Sequence, residues 1–261
     1  MSNADKVIAA VRTGYDRLAD LVKKFDDEDL ARASAAAEWD LAQVLSHLGS
    51  GAEIMRSRVL IALDVEPATD GDFNQSVWDR WNAMSRREQA DGFLEVNESF
   101  VALLESLDAG QRESLRIDLG FLPEPVDIAA FVRMRLSELT LHSWDVRSAV
   151  DPQAKLDSAA VPELLGRADN LGWISKPAAL DGQQAVLRVV TTEPASEFAL
   201  HLTDPVSIDL TPASDAASDG TLGLPAEAWL RLVAGRLGSF NDLELTGPVS
   251  LETLRKVFPG Y

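Results

Sequence analysis

Apolar residues recur every three or four positions through the first 150 residues of this chain, and near residue 180 a spacing of two takes over. The first period is that of an α-helix with one buried stripe, the second that of a half-buried strand. Val7, Ile8, Val11, Tyr15, Leu18, Leu21 and Val22 place the first stripe within residues 3 to 25. Asp40 stands as an N-cap before Leu41, Val44, Leu45, Leu48, Ala52 and Met55. Ser85 and Glu88 make a capping box ahead of Phe93, Val96, Phe100, Leu103, Leu104 and Leu107. A loop ending in PEPVD leads to Ile128, Phe131, Val132, Leu136, Leu139, Val146 and Val150. Four long amphipathic helices bury their stripes best as a bundle.

Asp151-Pro152 breaks the pattern, and a shorter helix is expected around Val161 to Ile174. AVLRVVTT, EFALHLT and PVSIDLT then read as strands, being short, rich in β-branched residues and separated by turn formers. AEAWLRLVAGRL reads as a helix closed by Gly235 or Gly238, LELTG as a strand and VSLETLRKVF as a last helix. The fold class is therefore α+β. A helical domain is expected over 1–178 and a smaller α/β domain over 179–261, two domains being usual for 261 residues.

Composition removes several function classes. Lysine and arginine number 24 against 42 aspartates and glutamates, and a net charge of -18 repels nucleic-acid phosphates and anionic membranes. The N-terminus is an amphipathic helix pattern rather than a signal peptide, and no run approaches the ~20 apolar residues that span a bilayer, so the cytoplasm is the expected location. The expected partners are small molecules, and the expected assembly is a monomer or a homodimer. With no cysteine in the chain, thiol chemistry here requires a thiol from solution.

Two of the three histidines fall on the apolar sides of long helices. Glu138 and His142, four residues apart, share a helix face about one turn from each other, and His47, three residues after Val44, points toward the bundle interior or its mouth. Three nitrogen and oxygen donors from two helices suit zinc and leave room for water or substrate. Spacing alone also allows hydrogen-bonded core histidines and a helix-surface Glu138–His142 pair. His201 alternates with Leu200 and Leu202, which puts it on the polar face of a strand, outside this set.

WDLAQVLSHLGS at 39–50 and RLSELTLHSWDVRSAV at 135–150 resemble the paired signature of the mycothiol-dependent maleylpyruvate isomerase family. There, a tryptophan-led second helix carries one histidine ligand and a later Glu-x-x-x-His-x-Trp-Asp helix carries two more. FNQSVWDRWNAMS at 73–85 resembles the family's connection into its third helix. The resemblance implies a DinB-like four-helix bundle in which His47, Glu138 and His142 hold a divalent metal, zinc by its donor set. It also implies a C-terminal domain related in shape to sterol-carrier-protein folds. Asp145 reads equally as a group orienting a ligand or as a surface partner, and Trp144 as core packing. Arg236, after AWLRLVAG, is where the family places an arginine toward the site; it reads either as a two-pronged carboxylate clamp or as a partner of the helix end.

The activity implied is that of a low-molecular-weight-thiol (mycothiol) dependent isomerase or S-transferase, the metal supplying a thiolate to a small electrophilic, dicarboxylic substrate. Two other readings stay open. One is a zinc-hydroxide hydrolase of an amide or thioester conjugate, which would turn over without thiol. The other is a non-catalytic metal- and ligand-binding module.

Overall fold

The computed structural model of the protein describes residues 2–36, 38–166, 171–213, 216–238 and 242–260. The chain divides into two compact units, Met1–Glu163 and Leu164–Tyr261. Residue 178, the boundary expected from the change of period, lies inside the second unit in a 3-10 turn, Pro177–Leu180.

The first unit is helical. It runs α1 (Asn3–Val22), α2 (Asp27–Leu30), α3 (Leu41–Ala62), α4 (Phe73–Asn82), α5 (Arg86–Ser106) and α6 (Ala109–Ser114). The antiparallel pair β1 (Arg116–Ile117) and β2 (Val126–Asp127) precedes α7 (Ile128–Ser148), and α8 (Val161–Leu165) crosses the division. The starts are set locally: Ser2, Asp26, Asp40, Ser85 and Asp108 each cap a helix through a reciprocal box with the residue three positions on. Asp127 ends β2 and caps α7 by accepting from the Ala130 N–H at 2.7 Å, which fixes where α7 begins. The first helix stops at Val22 rather than 25, because Asp26 caps a separate turn.

The four long helices close a ring, α1 against α7, α7 against α3, α3 against α5 and α5 against α1. Their stripes meet in a core that fully buries Leu18, Leu45, Leu48, Phe93, Phe100, Leu104, Phe131 and Leu136. Each such side chain removed from water contributes roughly 1.5–3 kcal/mol. The FNQSVWDRW connection is itself a helix, α4, packed on α3. Its Trp81 is buried over Gly49, where an added Cβ would lie 2.1 Å from the indole, so only glycine admits the ring. The Trp81 Nε1–H donates to Glu53 at 2.9 Å, which satisfies the one polar atom the indole buries.

The second unit contains α9 (Leu171–Ile174) and the strands β3 (Ala185–Thr192), β4 (Ser196–Leu202), β5 (Ser207–Asp209), β6 (Gly220–Pro225) and β7 (Glu244–Leu245). Two helices, α10 (Ala226–Val233) and α11 (Leu251–Val257), complete it. The sheet order is β5-β4-β3-β6-β7, antiparallel except where β3 and β6 run together. Alternate residues of β3, Leu187 and Val189 among them, are buried with Leu222, Leu224, Phe198 and Leu200. The Trp229 ring of α10 lies 5.0 Å from Phe198 and 6.4 Å from Phe258, joining helix to sheet. Three details differ from the sequence reading. The helix expected over Val161 to Ile174 is two short helices, with residues 167–170 outside the described set. PVSIDLT contributes only Ser207–Asp209 to the sheet, and β6 was not anticipated. Among the described residues no helix is long and apolar enough to cross a membrane.

Candidate metal centre

His47 lies in the second turn of α3, a position fixed by the Asp40 cap, while Glu138 and His142 lie one turn apart on α7. The seam between these helices brings the three together. His47 Nε2 is 3.0 Å from Glu138 Oε2, His142 Nε2 is 3.6 Å from the same oxygen, and one donor atom of each residue lies within 4.8 Å of the others. Ligands at zinc distances stand roughly 3.3 Å apart around a tetrahedron, so the three donors fit one ion after shifts of about an ångström. The two imidazole rings meet edge to face with centroids 4.7 Å apart.

Asp145 shows what holds His142. Its wholly buried carboxylate accepts from His142 Nδ1 at 2.9 Å, and because a carboxylate has no proton to give, Nδ1 carries the hydrogen. That leaves Nε2, on the Glu138 side, as the ring nitrogen with a lone pair that could take a metal ion. Asp145 is thus buried and hydrogen-bonded to His142 rather than lying on the helix surface. Trp144, its neighbour, is half-buried and donates from Nε1 to the Ala154 carbonyl at 2.8 Å.

The site is closed on one side and open on another. The His142 side chain is 7% exposed, whereas His47 and Glu138 retain 39% and 35%, so an incoming molecule reaches the donors from their side. Trp39 forms a wall there, its ring centroid 5.3 Å from that of His47 and 6.0 Å from that of His142. Its segment is tied down by Ser34, whose N–H and hydroxyl both donate to the Trp39 carbonyl, and by the Ala35 N–H, which donates to the Asp145 carbonyl. Burial would raise the Glu138 carboxyl, but its hydrogen bond with His47 and the basic groups His142, His47 and Arg135 outweigh that. It therefore lies below the usual carboxylate range and is ionised at neutral pH.

One turn before Glu138, Arg135 is 2% exposed in the bundle core. Its Nη2 donates to the Leu48 carbonyl of α3 at 2.8 Å and to Asn97 Oδ1 of α5. Burial pushes its pKa down to about 10, with Glu138 opposing, and it stays cationic. Neither Arg135 nor Trp39 stood out as a site residue in the sequence. The only available signal was an arginine three residues before Glu138, on the same face of the helix as Phe131, Val132 and Leu139.

The remaining candidate, Arg236, lies in the second unit, as does the excluded His201. Arg236 donates from Nη1 to the Ala234 carbonyl at 2.9 Å, just beyond the end of α10. His201 is half-buried on β4, paired in register with Val186 and Ser207.

The family model for the mycothiol maleylpyruvate isomerase N-terminal domain matches residues 11–147, a span that contains all three donors. The chain belongs to this family. Its fold is that of the mycothiol-dependent maleylpyruvate isomerase crystal structure, with a TM-score of 0.61, 13% identity and 95% of each chain covered. A histidine-to-alanine variant of that enzyme matches with a TM-score of 0.62 and 12% identity, again over 95% of each chain. At such identities the likeness establishes architecture, here the helical bundle with its α/β companion. No curated protein matches the chain.

Proposed function

We propose that this member of the maleylpyruvate isomerase family is a metal-dependent isomerase or S-transferase that uses a low-molecular-weight thiol, mycothiol by family, on a small electrophile. The observation that carries the reading is the convergence of His47, Glu138 and His142 within 4.8 Å, buried at His142 and open to solvent at the other two. Family membership supports the choice of thiol.

Free thiols are only about a few per cent ionised at neutral pH, and a zinc ion held by these donors would supply the charge that makes a bound thiol a thiolate. The chain's own residues do the rest. Asp145 keeps His142 in one tautomer and orientation. Trp39 presents an apolar face beside the donors, and the open side admits thiol and substrate in turn. Arg236 is assigned to a substrate carboxylate, which a guanidinium can grip with two parallel hydrogen bonds.

In the isomerase the thiolate adds to one carbon of a cis double bond, and the electron pair moves onto the conjugated carbonyl. Rotation about the resulting single bond and expulsion of the thiol return the trans isomer, with no net change in atoms. In a transferase a proton completes the adduct and the thiol stays. The substrate pocket decides between these outcomes.

The test is metal analysis of wild type beside His142→Ala, followed by a thiol-dependence assay on both. Wild type is expected to hold a stoichiometric ion and the variant to lose it along with activity. Equal metal content in the two overturns the reading, and turnover without added thiol assigns a hydrolase instead.

A further inference from the structure

Arg135 is a cation in the bundle core whose hydrogen-bond acceptors among the described residues, the Leu48 carbonyl and the Asn97 amide oxygen, are both neutral. Burying a charge without a hydrogen-bonded counter-ion is unfavourable, so a buried arginine is weak evidence of a gain in stability, although the neighbouring Glu138 carboxylate offsets part of the cost. Its place in the fold supplies another reason for it. Leu48 follows the candidate ligand His47 on α3, Asn97 lies on α5, and Arg135 shares a face of α7 with Glu138, three residues on.

The Asn97 amide is held in turn, its Nδ2 donating to the Phe93 carbonyl of its own helix at 2.9 Å, so its oxygen is directed at the guanidinium. Gly51, one turn beyond His47, lies beside the guanidinium, an added Cβ there standing 3.4 Å from Arg135 Nη1. One nitrogen thus joins three helices, and two of them, α3 and α7, carry the donors.

We propose that Arg135 is a positioning residue for the metal centre, clamping α3 and α5 to α7 so that His47 sits at the height of Glu138 and His142. The inference rests on the metal reading given above. It requires no contact between Arg135 and the ion, and the positive charge opposes cation binding, so any gain in affinity comes from geometry.

The test measures zinc affinity by competition with a chromophoric chelator, and urea unfolding of the metal-free protein, for wild type, Arg135→Met, Arg135→Lys and Leu104→Ala. Arg135→Met, which takes a donor from the buried Asn97 oxygen, is expected to unfold at lower urea and to bind zinc about tenfold or more weakly, a larger loss of affinity than an equally destabilising core truncation brings. Arg135→Lys, which keeps donors and charge, should recover most of the affinity. Leu104→Ala, a core truncation away from the clamp, should unfold earlier and bind zinc within about twofold of wild type. Zinc affinity of Arg135→Met within about twofold of wild type overturns the proposal, as does a loss that merely tracks stability across the set. Should Arg135→Met not fold, Asn97→Ala removes α5 from the clamp and keeps the cation. A few-fold weaker zinc binding there supports the proposal, and unchanged binding overturns it. Wild type that takes up no zinc overturns the metal reading and this inference together, whereas normal uptake by every variant overturns the inference alone.

Discussion

The two units bury different things. In the second, the described buried polar side chains are Thr191 and Glu227, and the interior is otherwise Phe198, Trp229, Phe258 and their aliphatic neighbours. In the first, Asn97, Arg135, His142, Ser143 and Asp145 lie inside the bundle along with its leucines and phenylalanines. Buried polar groups are unfavourable unless matched, and Arg135, Asn97, His142 and Asp145 are matched at the α3–α7 seam and the adjoining α5, while Ser57, Gln89 and Asp157 are matched elsewhere in the unit. A core that buries a charged and hydrogen-bonded group beside a set of potential metal donors departs from what folding alone asks of it, whereas the second core, apolar but for Thr191 and Glu227, does not.

The contrast is sharpest at Trp229. Trp229→Ala should lower the stability of the second unit by about 3–5 kcal/mol while zinc uptake by the first is unchanged, read by denaturant unfolding and metal analysis on one sample. Zinc loss in step with unfolding would erase the division of labour. Gly49→Ala drives a methyl into the Trp81 ring and should destabilise the first unit by about 3 kcal/mol, the cost of overpacking, measured by urea midpoint. Asp145→Asn keeps the shape of the core but withdraws the charge that orients His142. Zinc affinity should fall about 10- to 100-fold with little change in helix content by circular dichroism.

The smallest effect lies on the surface. Arg12 holds the Glu98 carboxyl below its usual range through a hydrogen-bonded pair at 2.8 Å. A depressed carboxylate pKa adds stability that is present above the unfolded value and is lost as pH falls through the folded one. Glu98→Gln should therefore cost under about 1 kcal/mol at neutral pH, since the pair is half exposed, and the gap should close as the solution is acidified below about pH 4.5. A gap that widens in acid would contradict the assignment.

The long helices were legible because their signals are local. Asp40, Ser85 and Glu88 cap and box within four residues, and the stripes repeat often enough to define a face. The helix α4 was not, because only Val77 and Trp81 of its ten residues are buried and no stripe forms. Nor was β6, whose GTLGLP lacks β-branched bulk and whose partner β3 lies a full crossover away. At the site, an interval of four exposed the Glu138–His142 pair. His47 was legible from its apolar helix side and from the WDLAQVLSHLGS resemblance, but its approach to Glu138 and the role of Arg135 depended on which faces of α3 and α7 meet, a fact that resides in packing and not in any window of sequence.

His47 and Glu138 are 91 positions apart, and Gly49, Ser50 and Gly51 weaken the helix directly after the first of them. No fragment short of α7 contains the set, so a nascent chain leaving the ribosome has no cage to offer a passing ion. An ion held by these three donors would therefore be taken up after the bundle has closed, unlike finger-type domains in which a cation gathers its neighbours and thereby organises the chain.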